Sequence, residues 1–557
     1  MRRLPRLPVT LATLLALSLA SPPARAENVP VFRQSAAEID AFDFVELTVT
    51  PPTPVAGNPF RDCFLTGTFQ AANDIPRKVE GFCDDPAGAT YRIRFLALRP
   101  GSHTYTAEFR DANRVLKHTG RFTATDARRR GPVRIDRDHP YHFLWQGTGE
   151  HFFWNSTTTY WLLGWQDDDT IRQAIDRLAR LKVNRIRVAL CGRTTGGQRW
   201  DEPQVVNTDR FHFRLNPWPA ARPDSVDNPG FDVTRYNIPF WHKAERLLRH
   251  ARDRDMVVSV IFFLDGRDPG VDPFGKAKAG GDDEQRYYRH GIARLAAYSN
   301  VMWDVTNEYH LFRDEPWVER TAKLIKSADP YAHLLSVHGH GEFRFRTSPW
   351  VDFAMYQSWD DAGGHDFMLR QRQLQAKTGR PMPQVNEEYG YEDHYPTRWG
   401  GGKKPPARSA DNRRRLAWGM VMAGGYQTTG ERADRGTGRP PDTGGGWING
   451  RGDDAMTMLQ GYAHMVTCFE QLRWWTADPR DDLVTAGNFC LAEPGRQYLV
   501  YLPAGKPVTV QLQGGPFRAR WFNPRTGAWT ELNPARGPAW TSPAPPDADD
   551  WALLLRD

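Results

Sequence analysis

Two textures of hydrophobic patterning divide the chain. Between residues 27 and 130, short segments rich in β-branched and aromatic residues (AFDFVELTVT, DCFLTGTFQ, TYRIRFLAL, HTYTAEFRD, HTGRFTAT) are separated by turn clusters such as Ala56-Gly57-Asn58-Pro59 and Arg99-Pro100-Gly101. That spacing predicts a β-sandwich. After Gly131-Pro132 strand-like and helix-like segments alternate, the pattern of a parallel sheet with crossover helices. Eight strands can be counted: HFFWNST (151–157), NRIRVAL (184–190), MVVSVIFFL (256–264), VMWDVT (301–306), HLLSVHGHG (333–341), WVDFAMYQSW (350–359), MPQVNEE (382–388) and GGYQTTGE (424–431).

Between these strands lie helical stretches. In TIRQAIDRLARLK the residues Ile171, Ile175, Leu178 and Leu181 form one apolar face, and Asp167-Asp168-Asp169 before it is read as a cap and acidic first turn, in preference to a calcium site. A helix through MTMLQGYAHMVTCFEQL closes the ring. The fold expected for residues 131–475 is a (β/α)8 TIM barrel. Long excursions at 192–236 and 431–453 are expected at its catalytic face. From 476 to 557 the pattern is β again (QYLVYLPAG, PVTVQLQGG, FRARWFNPRTGAW, WALLLRD), a small C-terminal β domain.

Composition narrows the function classes. The 557 residues include 20 Trp, enough to put sugar stacking beside large cores as an explanation. The formal charge of +7 falls to +3 once the four arginines of residues 1–26, which contain no acid, are set apart. No basic stripe points to nucleic acid. Those first 26 residues read as a signal peptide: a basic MRRLPR, an apolar Leu11–Ala20 and a small-residue Ala24-Arg25-Ala26 before Glu27. No later run is long and apolar enough for a membrane helix, so the expected location is secreted or periplasmic. In that oxidising setting Cys63 with Cys83 and Cys468 with Cys490 are plausible bridges, with Cys191 left over, although spacing does not fix the pairing.

The chemistry lies at two strand ends. VMWDVTNEYH carries Asn307-Glu308 at the end of the fourth strand, and PQVNEEYGYE carries Glu387-Glu388 at the end of the seventh. The C-terminal ends of these strands face each other across a barrel mouth, where two carboxyl groups ~5–5.5 Å apart cleave a glycosidic bond with retention. Asn307 is placed to bond a sugar hydroxyl. Arg187 on the second strand is open to two roles, orienting a carboxylate or pairing in the core. Asp265 after the third strand is a candidate for a sugar hydroxyl or a turn residue before Gly266. His338-x-His340 lacks acidic or thiol neighbours for zinc, and no cofactor is expected. Arg451-Gly452-Asp453 reads as a chance tripeptide.

An Asn-Glu pair ending the fourth strand with Glu-Tyr-Gly ending the seventh resembles the retaining glycoside hydrolases of clan A. The resemblance implies Glu308 as acid/base and Glu388 as nucleophile, with Glu387 the fallback because adjacent strand residues point to opposite sides. More narrowly, the three-part layout resembles the apiosidase-like barrel proteins. GFCDDPAGATYRIRFLALRPGSHTYTAEF matches their N-terminal domain of uncharacterised function, and RWFNPRTGAW their collagen-binding-type C-terminal domain. It also implies hydrogen-bonding roles for His338 and Tyr356. The eighth strand lacks the Trp usual in the clan, which leaves Tyr426, Trp447 or Trp359 as the sugar platform. The expected function is a secreted retaining glycoside hydrolase acting on a polysaccharide or its oligosaccharides. The alternatives are a non-catalytic carbohydrate- or matrix-binding barrel and a metal-dependent hydrolase.

Overall fold

The computed structural model describes residues 31–557 except 56, 73, 113, 192–209, 226–227, 265–270, 340, 393–407 and 433–445. The signal-peptide reading of residues 1–26 therefore lies outside the described residues, as do Asp265 and much of the loops expected at 192–236 and 431–453.

The barrel is built from eight parallel strands: β1 (Asn155–Thr158), β2 (Arg185–Ala189), β3 (Val257–Ile261), β4 (Val301–Asp304), β5 (Leu335–Ser336), β6 (Ala354–Gln357), β7 (Gln384–Glu388) and β8 (Tyr426–Thr429). They run side by side as β5-β4-β3-β2-β1-β8-β7-β6, so the ring is closed by ladders everywhere except between β5 and β6. Nearly every strand residue is buried, as both faces are covered in a barrel. Around it run α1 (Asp168–Arg180), α2 (Ile238–Arg252), α3 (Asp282–Leu295), α4 (Glu315–Ala328), α5 (Gly364–Ala376), α6 (Ala410–Met422) and α7 (Met458–Phe469). The acidic triplet does cap α1: the Asp167 carboxylate accepts the Thr170 N–H at 2.7 Å, while Asp168 and Asp169 pair with Arg246 and Arg172.

Strand one differs from expectation. His151–Phe152 belongs instead to a small antiparallel sheet with Val133–Ile135 and Phe143–Trp145. That sheet packs Phe143 against Trp154 and Phe353 beneath the barrel, closing its N-terminal end with rings. The apolar run HFFW therefore covers the barrel floor, and the wall begins at Asn155.

The N-terminal region has a four-stranded and a five-stranded sheet with a shared core, including Phe69 stacked on Phe95. Arg94 of this region reaches Glu245 of α2 and the Arg294 carbonyl of α3, which ties it to the barrel. The C-terminal region has a six-stranded antiparallel sheet and a two-stranded one.

The expected disulfides are absent: all five cysteines are free thiols and all are buried. Cys468 sits in the core of the barrel and Cys490 in the separate core of the C-terminal domain, so closeness in sequence does not bring their side chains into one environment. Cys63 and Cys83 both bond to the Tyr91 hydroxyl.

Candidate active site

The inside of the barrel is charged. Arg185 and Arg187 of β2, Asp304 of β4 and Glu387 of β7 are all fully enclosed. Glu387 Oε1 pairs with Arg185 Nη1 at 2.7 Å and Arg187 Nε at 2.9 Å, and its Oε2 accepts from the Thr428 hydroxyl at 3.1 Å. Arg185 also lies over the Trp154 ring of the floor. Buried charges persist only when paired, and here two cations meet two acids. Asp304 is the less well compensated: burial pushes its carboxyl up to about 7, against the pull of Arg187.

Above this layer the site opens. Arg187 uses its guanidinium as a fork. Nη1 donates to the Tyr160 hydroxyl at 3.0 Å and Nη2 to Asn307 Oδ1 at 2.9 Å. Each of these carries the contact on to one carboxylate. Tyr160 donates to Glu388 Oε2 at 2.8 Å. Asn307, with its oxygen committed to Arg187, turns Nδ2 toward Glu308 Oε2 at 3.3 Å. The Tyr391 hydroxyl lies 3.3 Å from that of Tyr160 and within reach of Glu388, and it has one proton to give to either.

Glu308 and Glu388 share one further donor. Gln357 Nε2, at the end of β6, lies 3.1 Å from Glu308 Oε1 and 3.2 Å from Glu388 Oε1. The two oxygens are therefore no farther apart than those two bonds laid end to end. Burial pushes the Glu388 carboxyl above its usual range, opposed by Arg187, Tyr160, Tyr391 and Gln357. Glu308 has a left-handed backbone, φ 44° and ψ 49°. For a residue with a long side chain this conformation costs about 1–3 kcal/mol and is found where the fold has over-determined a functional position.

The adjacent acids of β7 are separated by register. Tyr356 of β6 pairs with Asn386, but the next residue, Gln357, pairs with Glu388, so β7 holds one residue more than its neighbour at this point. Such a step re-aims side chains. Glu387 points down into the ion cluster and Glu388 up to the mouth, whereas regular alternation would put one of them outside the barrel.

Of the other predicted residues, Arg187 pairs in the core and bonds Tyr160 and Asn307 from beneath. With its side chain fully enclosed it presents no surface to a sugar. His338 is likewise enclosed, its imidazole held far below the usual range by burial and Arg187, and neither ring nitrogen has a partner among the described residues. Tyr356 points outward. Its hydroxyl donates to Gln384 at 2.5 Å and accepts from Arg346 at 2.9 Å, while its ring meets Phe367 of α5. Tyr426 is at the wrong end, because it begins β8 and bonds His142 of the floor sheet at 2.8 Å. Trp359 stays at the rim, half-buried, with its ring edge to Tyr391. Trp447 is buried and stacks face to face on Tyr391 at 4.5 Å, making that ring a rigid wall. Tyr160, Gln357 and Tyr391 surround the two carboxylates and are not singled out by the sequence. Tyr160 follows the end of β1 in Thr-Thr-Thr-Tyr-Trp, and Tyr391 follows the Glu-Tyr-Gly motif directly. Among the described residues no group of three or more His, Cys, Asp or Glu could hold a metal ion.

The family model described as "Apiosidase-like, catalytic domain" matches residues 139–430, which span β1 to β8 and both carboxylates. The chain belongs to the apiosidase-like family. Its barrel is thus the catalytic domain of a glycoside hydrolase. Two further models match the flanks: a domain of unknown function at residues 38–110, and a "Putative collagen-binding domain of a collagenase" at 481–556. Among solved structures, a "putative glycoside hydrolase" from Bacteroides vulgatus is similar over 94% of this chain and 100% of its own, at 19% identity and a TM-score of 0.73. A glycoside hydrolase family 5 structure from the same organism covers 77% of this chain and 94% of its own, at 13% identity and a TM-score of 0.59. At these identities the likeness concerns the fold. No curated protein matches the chain.

Proposed function

We propose that this apiosidase-like protein is a secreted or periplasmic retaining glycoside hydrolase, with Glu308 as acid/base and Glu388 as nucleophile, acting on a polysaccharide or oligosaccharides derived from one. The observation that carries the reading is the shared amide of Gln357: two carboxyl oxygens within 3.1 and 3.2 Å of one nitrogen. Two oxygens on one nitrogen are compatible with the ~5–5.5 Å carboxyl separation at which a carboxylate attacks directly.

In the first half-reaction a Glu388 oxygen attacks the anomeric carbon. The bond to the leaving oxygen breaks, and Glu308 delivers its proton there. In the second, Glu308 takes a proton from water, the water oxygen bonds the anomeric carbon, and Glu388 departs as carboxylate. Burial works against an ionised Glu388; the Arg187–Tyr160 relay, Tyr391 and Gln357 offset it. The half-buried rim ring of Trp359 offers an apolar face to a sugar.

Activity on a panel of polysaccharides and aryl glycosides tests the proposal. Glu308→Gln and Glu388→Gln are each expected to lose at least ~10³-fold in kcat while remaining folded. Retained activity in both variants would end this reading.

A further inference from the structure

The retaining cycle moves one negative charge between two acids. It rests on Glu388 while Glu308 holds the proton, then on Glu308 while Glu388 is an ester. Most contacts in the mouth serve one acid. Tyr160, Tyr391 and, through space, Arg187 act on Glu388; Asn307 acts on Glu308. Gln357 reaches both, through a nitrogen with two N–H bonds.

Its orientation follows from its neighbours. Carboxylates only accept hydrogen bonds, so the amide nitrogen faces them. Its position follows from the fold: Tyr356 packs outward beneath α5, and the register step beside it sends Gln357 to the mouth opposite Glu388. An N–H bond to an ionised acceptor is roughly twice as strong as one to a neutral acceptor. A fixed two-pronged donor between the acids therefore strengthens whichever bond currently meets the charge.

We propose that Gln357 is a positioning residue that passes its stronger hydrogen bond from Glu388 to Glu308 as the glycosyl-enzyme forms, and back as it is hydrolysed, while remaining in place. The proposal rests on the carboxylate roles assigned above. It adds a residue through which the two half-reactions are linked.

The test reads both acids without needing turnover. Full-length protein and its Gln357→Leu and Gln357→Asn variants, each shown to keep native circular dichroism, are treated with a water-soluble carbodiimide and glycine ethyl ester over a pH series. The reagent captures protonated carboxyls, and peptide mass spectrometry gives the half-labelling pH of Glu308 and Glu388. Loss of a donor to an ionised group raises its pKa, so in Gln357→Leu both midpoints are expected to rise by about one pH unit. Gln357→Asn, which shortens the reach, should behave similarly.

If either carboxyl resists the reagent, the bell-shaped pH dependence of kcat/KM on an aryl glycoside that the native enzyme cleaves supplies the same two values. The whole bell should then move to higher pH. A purely structural role would lower the rate and leave both limbs in place; that result, or a shift of one limb alone, overturns the proposal. Such an outcome is distinct from failure of the glycosidase reading, which is decided by Glu308→Gln and Glu388→Gln.

Discussion

The Tyr160 hydroxyl donates to Glu388 across 2.8 Å while accepting from Arg187 at 3.0 Å, so the ion cluster inside the barrel is connected to the proposed nucleophile through a single phenol. A tyrosine in this place links a buried cation to a carboxylate at the mouth while the cation itself stays enclosed.

Removing the phenol should expose its role. Tyr160→Phe keeps the ring, which lies over Arg187 and edge-on to Trp447, and deletes only the hydroxyl. A hydrogen bond to a charged group contributes about 1.5–3 kcal/mol, so kcat/KM is expected to fall ~10–100-fold. The hydroxyl stabilises the ionised form of Glu388, and without it the acidic limb of the pH profile should move to higher pH. An unchanged acidic limb would remove Tyr160 from the mechanism.

The ion cluster should also register in stability. Asp304 is held protonated up to about 7, against 3.8 in a free chain. Its folded-state pKa is raised, so the folded state binds the extra proton between those values. The resulting stabilisation is complete below about pH 4 and is lost as pH rises toward 7. Asp304→Asn cannot titrate. The melting temperature of the native protein minus that of the variant is therefore expected to fall by a few degrees between pH 4 and 7. A constant difference across that window would contradict the assignment.

Trp359, half-buried at the rim beside Tyr391 and with the Arg408 guanidinium over its ring, is the ring we propose to stack on a sugar. Its loss by Trp359→Ala should raise KM about 2–10-fold, the value of one aromatic contact, and leave kcat nearly unchanged. A fall in kcat with constant KM would mean that the ring acts in the transition state instead.

The thiols give a further check. Cys191, Cys468 and Cys490 are almost completely enclosed, with their thiols pushed above the ordinary range by burial, whereas Cys63 is 9% exposed and lines a cavity of about 370 Å³ between the N-terminal sandwich and α3. A thiol reagent should label Cys63 first in the native protein and release five thiols per chain on unfolding. Fewer than five without reductant would show that a bridge forms.

Sequence reading recovered the eight strands because a parallel barrel strand is buried on both faces and appears as an unbroken apolar run between amphipathic helices. Glu308 and Glu388 both fall where such a run ends, and the structure brings them to one amide nitrogen. Side chains placed by register were not legible. Tyr356 was chosen where Gln357 is the one that faces the mouth, because an extra residue in β7 leaves no mark in residue type. Tyr426 was chosen because it lies in the eighth strand, but the strand starts there, and its first residue belongs to the floor. Tyr160 is not legible because the apolar run that announces strand one begins four residues before the strand, on rings that pack beneath the barrel. Cys468 and Cys490 are kept apart for a related reason: nearness along the chain does not decide which core a side chain enters.

The extra residue in β7 has a practical consequence. It sends Glu387 into the ion cluster and Glu388 to the mouth, on consecutive positions of one strand. Exchanging Glu388 for glutamine leaves the barrel's internal charges balanced and the mouth the same size, but without a group to attack. Such a protein should hold its natural glycan without consuming it, and so serve as bait for isolating that glycan from a complex polysaccharide mixture.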